Sequence, residues 1–266
     1  MLLDNSFEER NILVEICRRI ADKGFVTATD GNVSTRLPSG IILATPTSIN
    51  KGFVTAADLV EVNLDGVQLS GSRMPSSEMD MHLFIYRNRP DVNAVVHCHP
   101  PYATGFAAAR VPLNECLFPE VIVNLGAIPL APYATPSTPE VGDSIAPFVN
   151  NADAILLSNH GVVTYGKDLW DAYFKMEKVE HAAHIVFVAR MLGGAKPLSA
   201  EQVEKLRSIS VESYGKDFSG KIACKLEHGA AGDNDAGTFA LSQEEYTLIV
   251  EEVKKRLSRH SEKVKQ

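Results

Sequence analysis

The sequence predicts an α/β fold in which a central mixed, largely antiparallel sheet is flanked by helices. Two segments place apolar residues at helical spacing, and short apolar runs bounded by Gly and Pro lie between them. Several of those runs follow one another with only turns in between, which argues against a strictly alternating βα barrel.

Ser6-x-x-Glu9 reads as a capping box, and Ile12, Leu13, Ile16, Cys17 and Ile20 continue an amphipathic helix until Gly24 stops it. Residues 25–69 are strand-and-turn text, with apolar runs at 41–44 and 59–64, and Thr55-x-x-Asp58 predicts a cap for one short helix among them. Pro75-Ser76-Ser77 starts a second helix whose Met79, Leu83 and Tyr86 face the core, ending before Pro90. Residues 92–99 read as a buried strand stopped by Pro100-Pro101, and a helix is expected over 102–109. Further strands are expected at 121–130 and 154–158. The strongest helical pattern runs from Leu169 through Ala172, Tyr173, Met176, Val179, Ala183 and Phe187 to Gly193-Gly194. The division predicted is a domain over 1–220 and a tail over 221–266, a flexible Gly-rich linker followed by a charged helix.

With 266 residues and 45% hydrophobic side chains, the chain is long enough to bury a substantial core. Its formal charge of -7 repels polyanions and argues against nucleic acid, so an anionic ligand has to be held by local donors. Asp4, Glu8 and Glu9 stand where a signal peptide would need basic residues, and no run is long enough to span a bilayer. The expectation is a cytoplasmic protein with no membrane partner. Four scattered cysteines without a Cys-x-x-Cys spacing fit reduced, buried thiols.

The best chemical signal is His97-Cys98-His99 at the end of an apolar strand. Residues i and i+2 share a strand face, so both imidazoles can reach one ion while Cys98 points into packing. His160, at the end of another apolar run, is placed to supply a third ligand, and three imidazoles with an open position suit a catalytic zinc site. A single buried histidine is more often a satisfied core residue than a ligand; for His82, His181 and His184, on predicted helices, a solvated or polar-packed role is preferred. Pro75-Ser76-Ser77-Glu78 combines a helix start with two hydroxyls, which fits either a phosphate cradle or plain capping by Ser77 with Asp80. Glu78 beside it can act as metal ligand or general base. The turns at 29–34 and 45–48 offer backbone N–H groups that suit phosphate or ordinary turn chemistry. No dinucleotide fingerprint or Walker loop is present.

In this order the motifs resemble the class II aldolase/adducin family, from about Glu8 to Leu192. Those that carry the likeness are Gly31-Asn32-Val33-Ser34, Thr45-Pro46-Thr47, Pro75-Ser76-Ser77-Glu78, residues 94–99, residues 131–135 and Asn159-His160-Gly161. The resemblance implies one Zn2+ per subunit, replaceable by other divalent metals, on His97, His99 and His160. Glu78 would be a ligand of the resting metal and then the catalytic acid/base. It also implies substrate phosphate against Gly31, Asn32, Thr47, Ser48, Ser76 and Ser77, and a homotetramer with its active site at the subunit interface. The activity implied is cleavage of a phosphorylated sugar, a ketose 1-phosphate of the fuculose, deoxy- or methylthio-pentulose type, to dihydroxyacetone phosphate and an aldehyde through a metal-stabilised enediolate.

Two departures bear on the substrate. Where fuculose-phosphate-cleaving members have a tyrosine assisting at the aldehyde end, this chain reads Leu117-Phe118-Pro119, and Pro136 replaces an aromatic residue. The alternatives within the family are a pentulose-phosphate 4-epimerase, for which Asp would be expected at Glu78, and a 3-oxo-acid phosphate decarboxylase, for which a Thr-Lys-Glu pattern would be. Outside enzymes stands a non-catalytic adducin-like interaction module, which has no reason to keep the metal constellation.

Overall fold

A computed structural model describes residues 5–214 and 221–225. Among the described residues eight strands form one sheet: β1 (Asn32–Arg36), β2 (Ile42–Ala44), β3 (Val60–Val62), β4 (Gln68–Ser70), β5 (Ala94–Cys98), β6 (Leu130–Ala131), β7 (Ala154–Leu157) and β8 (Gly161–Gly166). Their order is β4-β3-β2-β1-β5-β8-β7-β6, and every pairing is antiparallel except β6 with β7. The sheet is therefore mixed and largely antiparallel, as the succession of short runs predicts.

Helices cover both faces. α1 (Asn5–Asp22), α3 (Pro101–Ala108) and α6 (Leu169–Met191) bury Leu13, Ile16, Phe106, Tyr173, Met176 and Val179 against Val33, Val96, Cys98 and Val162. α2 (Met79–Asn88) and α5 (Glu140–Ile145) bury Met81, Leu83, Ile85 and Val141 against Val60, Val95, Ile155 and Val163. The alternation Val95 to one side and Val96 to the other is the strand period of two. Each fully buried large apolar side chain stabilises the fold by roughly 1.5 to 3 kcal/mol. α6 is long because its buried stripe repeats every three or four residues after Asp168, whose carboxylate accepts the Asp171 N–H at 2.8 Å. No helix among the described residues is long and apolar enough to cross a membrane.

Structure and sequence expectation part at several places. Asn5 is already helical in α1, so Ser6 lies inside the helix. Residues 121–130 do not form a strand: Pro119 starts α4 (Pro119–Asn124), Gly126 at φ +75° ends that turn of chain, and only Leu130–Ala131 joins the sheet. Thr55 and Asp58 make a turn, the Asp58 carboxylate accepting the Thr55 N–H and O–H; the short helix is a 3-10 turn just before it, Lys51–Phe53, capped by Asn50. Ser77 does not cap α2, because Glu78 occupies that position and turns its carboxylate elsewhere. Finally, Cys116 and Cys224 form a disulfide, while Cys17 and Cys98 are buried free thiols. Cysteines 108 positions apart carry no spacing signal; here they meet in a small cluster with Ile122, Ala127 and Val203 beneath α7 (Ala200–Tyr214).

Residues 221–225, assigned from sequence to the tail, pack on the main body. Ile222 N–H donates to Asn151 O at 2.8 Å, Ala127 N–H to Ile222 O at 3.0 Å, and Lys225 N–H to Asn114 O at 2.7 Å. The linker and helix expected over 226–266 lie outside the described residues.

Lys221 also reaches Asp153 at 2.6 Å, which Lys175 at 3.2 Å and Arg89 at 3.0 Å contact as well. Burial alone would raise the Asp153 carboxyl, but Lys175, Lys221 and Arg89 outweigh it and hold the group down at about 2. The folded value lies below the unfolded 3.8, so this stabilisation is complete above pH 4 and is lost as pH falls through about 2. Asp153→Asn is expected to cost about 2 kcal/mol at pH 7 and to flatten the loss of stability between pH 4 and 2, measured by thermal melts. An acid limb identical to wild type would contradict this assignment.

Candidate active site

Four chain segments converge at one end of the sheet. His97 lies opposite Asn32 in the β5–β1 register, and both belong to the face covered by α2. His99 follows β5 and is held where α3 begins: Glu180 of α6, nearly buried, accepts the Tyr102 N–H at 3.0 Å and the Ala103 N–H at 2.8 Å. Those N–H groups are otherwise unpaired at a helix start, so Glu180 fixes the turn that carries His99. His160 ends the β7–β8 hairpin, in which Asn159 takes a left-handed φ of +56° that asparagine tolerates. Asn159 N–H donates to Ala107 O at 3.2 Å, seating the hairpin tip on the end of α3.

Two glycines permit this approach. At Gly31, φ is +72° and a Cβ would lie 2.5 Å from Val26 Cγ1 and 2.9 Å from His97 O. At Gly161 a Cβ would lie 2.5 Å from both Cys98 O and His99 Cδ2.

The three imidazoles meet with ring centroids 4.7 to 5.0 Å apart, and their ligand atoms all lie within 4.8 Å of one another. His97 Nδ1–H donates to Val162 O at 2.9 Å, which leaves Nε2 free to face His99 Nε2 at 3.1 Å. Glu78 Oε2 stands 3.4 Å from His97 Nε2, and Oε1 stands 3.1 Å from His160 Nε2. Lone pairs packed this closely repel one another unless they share a cation. Three imidazole nitrogens and one carboxylate suit a zinc-like divalent ion, so this donor set fits a metal.

Charge is shared within the cluster: burial would lower His97, but Glu78 outweighs it and raises the ring. Burial would raise the Glu78 carboxyl, but His97 and His160 outweigh it and hold it well below the carboxylate range. Burial, and then His97 and His160, push His99 down to about 3, which keeps its ring neutral and its lone pair available. Burial drives the Cys98 thiol far up, so Cys98 packs in the core as the strand alternation predicts.

The residues expected to hold phosphate lie on three chain segments, two of which are tied to each other. A backbone bridge pairs Pro46 with Pro75, and Thr47 N–H donates to Met74 O at 3.0 Å, which sets Thr47 and Ser48 beside Ser76 and Ser77. Ser76 Oγ accepts the Glu78 N–H at 3.3 Å. Gly31 and Asn32 form the third side, and Asn32 Nδ2–H donates to Glu78 Oε2 at 2.9 Å. Lys51 ties the loops together from below: its buried ammonium donates to Thr29 O at 2.9 Å and to Ile49 O at 2.8 Å. Neither Lys51 nor Glu180 shows in the sequence as more than one charged residue among many. His184 stacks on Tyr102 at 3.9 Å, away from the cluster.

The family described as Class II Aldolase and Adducin N-terminal domain matches residues 11–187. A 3-oxo-tetronate 4-phosphate decarboxylase of Pectobacterium atrosepticum is 33% identical over 210 residues, 77% of this chain and 94% of that protein. A 5-deoxy-D-ribulose 1-phosphate aldolase of Bacillus thuringiensis is 32% identical over 211 residues, 79% of this chain and 98% of that protein. Among solved structures, an L-fuculose 1-phosphate aldolase superposes with a TM-score of 0.71 at 29% identity, covering 79% of this chain and 97% of the other.

If the cluster binds a divalent ion, chelation lowers the melting temperature. At a metal concentration of about 100 times Kd the linkage is worth ~2.7 kcal/mol, or roughly 5 to 10 °C for a chain of this size. His97→Ala is expected to melt at the same temperature with and without chelator in calorimetry; a chelator shift that survives this substitution would place the ion elsewhere.

Proposed function

Because the chain belongs to the class II aldolase and adducin family, we propose that it is a zinc-dependent lyase that cleaves a ketose 1-phosphate to dihydroxyacetone phosphate and an aldehyde. The observation that carries this reading is Glu78, whose carboxylate sits within 3.4 Å of two of the three clustered imidazoles. His97, His99 and His160 would hold the ion. When bound, it supplies Lewis-acid stabilisation of the charge that develops as the C3–C4 bond breaks, a contribution of several kcal/mol.

The protein's own residues do the rest. Gly31, Asn32, Thr47, Ser48, Ser76 and Ser77 hold the phosphate on C1, which anchors the fragment so that its C3 faces Glu78. Cleavage leaves the electron pair of the broken bond on that fragment, the C4 hydroxyl passes its proton to the Glu78 carboxylate, and C4 becomes the aldehyde carbon. Glu78 then delivers a proton to C3, or removes it in the synthetic direction. Phe118 packs against the core and offers no phenol, so the aldehyde end favours a deoxy- or thioether-bearing pentulose phosphate over fuculose phosphate. The likeness to a 5-deoxyribulose 1-phosphate aldolase supports the same substrate class.

The proposal extends to a homotetramer with its site at a subunit boundary, which rests on the resemblance alone; the cytoplasmic location expected from the sequence is opposed by the Cys116–Cys224 bond, which fits an oxidising compartment. The specific rival is decarboxylation of a 3-oxo-acid phosphate, favoured by the 33% identical relative. Glu78 directly after two serines argues for the aldolase.

A panel of ketose 1-phosphates, assayed for dihydroxyacetone phosphate release, is expected to give turnover with at least one deoxy- or methylthio-pentulose 1-phosphate. Glu78→Gln should lower kcat by ~10²- to 10⁴-fold. Carbon dioxide release from a 3-oxo-tetronate 4-phosphate, with no cleavage of any ketose 1-phosphate, would replace the aldolase by the decarboxylase.

A further inference from the structure

Behind Glu78 lies a line of buried polar side chains. Asn32 Nδ2 contacts Glu78 Oε2 at 2.9 Å, and Asn32 Oδ1 contacts His82 Nε2 at 2.5 Å. His82 Nδ1 contacts Ser34 Oγ at 2.7 Å, and Ser34 Oγ contacts Tyr86 Oη at 2.8 Å. His82 and Ser34 are 0% exposed and Tyr86 is 1% exposed, so solvent cannot substitute for a missing partner. The line arises from two periodicities that meet: Asn32 and Ser34 are i and i+2 on β1, and Glu78, His82 and Tyr86 are i, i+4 and i+8 along the start of α2.

The direction of each bond follows from the one before. Glu78 is a carboxylate and only accepts, so the Asn32 amide must present its NH2 to Glu78 and its carbonyl oxygen to His82. The His82 Nε2 must then carry a proton. Burial pushes His82 down to about 3, so the ring is neutral and its Nδ1 is bare. That nitrogen accepts the Ser34 O–H, and Ser34 in turn accepts the Tyr86 O–H. Flipping the amide would set two acceptor oxygens against each other at Glu78 and leave His82 facing a donor.

We propose that His82, backed by Ser34 and Tyr86, is a positioning residue that locks the Asn32 amide so that it always donates to Glu78, fixing the pose of the carboxylate. The proposal rests on the reading of Glu78 as the group that moves the proton. Its physical content is narrower: one imidazole tautomer sets the orientation of one amide. Asn32 Nδ2 carries a second N–H with no protein acceptor among the described residues, which is available to the substrate phosphate. A single amide thereby joins phosphate binding to the placement of the base.

The test begins with 15N NMR of the histidine side chains in the full chain, with and without zinc. The expected result is His82 as the neutral Nε2–H tautomer, unchanged from pH 6 to 8; an Nδ1–H tautomer or an imidazolium would overturn the relay. His82→Leu is expected to lower kcat at least 10-fold and to weaken zinc affinity in chelator competition. Tyr86→Phe, at the far end, should lower kcat less than 5-fold, and His82→Gln, which keeps a donor toward Asn32, should recover part of the loss. If His82→Leu melts lower but leaves kcat and zinc affinity at wild-type values, the residue only fills space and the proposal fails. If no substrate is turned over by wild type, the aldolase reading fails, and tautomer and zinc affinity still decide the relay.

Discussion

The constraint on which the rest of this structure depends is the antiparallel register of β1 against β5, in which Asn32 stands opposite His97. That one pairing puts an amide, a serine and an imidazole on the face covered by α2, where Glu78, His82 and Tyr86 come down to meet them. A slip of one residue would turn every one of these groups into the opposite apolar layer. The apolar alternation around them holds the register, because Val33 and Val96 must enter one core and Val95 the other.

From that alignment the site is assembled by elements that each satisfy an ordinary structural need. Glu180 occupies the free N–H groups of α3 and so places His99; the left-handed Asn159 closes a hairpin and so places His160. Lys51 binds the carbonyls of two loops and so fixes the walls around Gly31 and Ser48. Burying an ammonium and a carboxylate in these roles has a cost, offset by charge-assisted hydrogen bonds to backbone groups that would otherwise go unpaired. The result is a cluster of potential metal ligands with little freedom to rearrange, and pre-organisation of this kind is what lets an enzyme's binding energy act on a reacting bond.

Much of this was legible in the sequence. His97 and His99 announced themselves by strand spacing, Cys98 by its place between them, and the helices by their apolar periodicity. Glu78 was visible because it follows two serines at a helix start. What could not be read depended on contacts distant in sequence. The run at 121–130 is apolar enough for a strand, yet Pro119 and Gly126 fold its first half into a turn of helix. The Cys116–Cys224 pair joins segments 108 residues apart, and residues 221–225 look like the start of a tail until their backbone partners are known. His82 reads in the sequence as solvated or polar-packed, but its partner Ser34 lies 48 positions away.

The central claim is that three imidazoles from β5, its following turn and the β7–β8 hairpin share one divalent ion. X-ray absorption at the zinc edge of the metal-loaded protein tests it directly. The account predicts a first shell containing three imidazole nitrogens at ~2.0 to 2.1 Å with the remaining positions filled by oxygen. A shell containing sulfur at ~2.3 Å, or one built from oxygen alone, would contradict it.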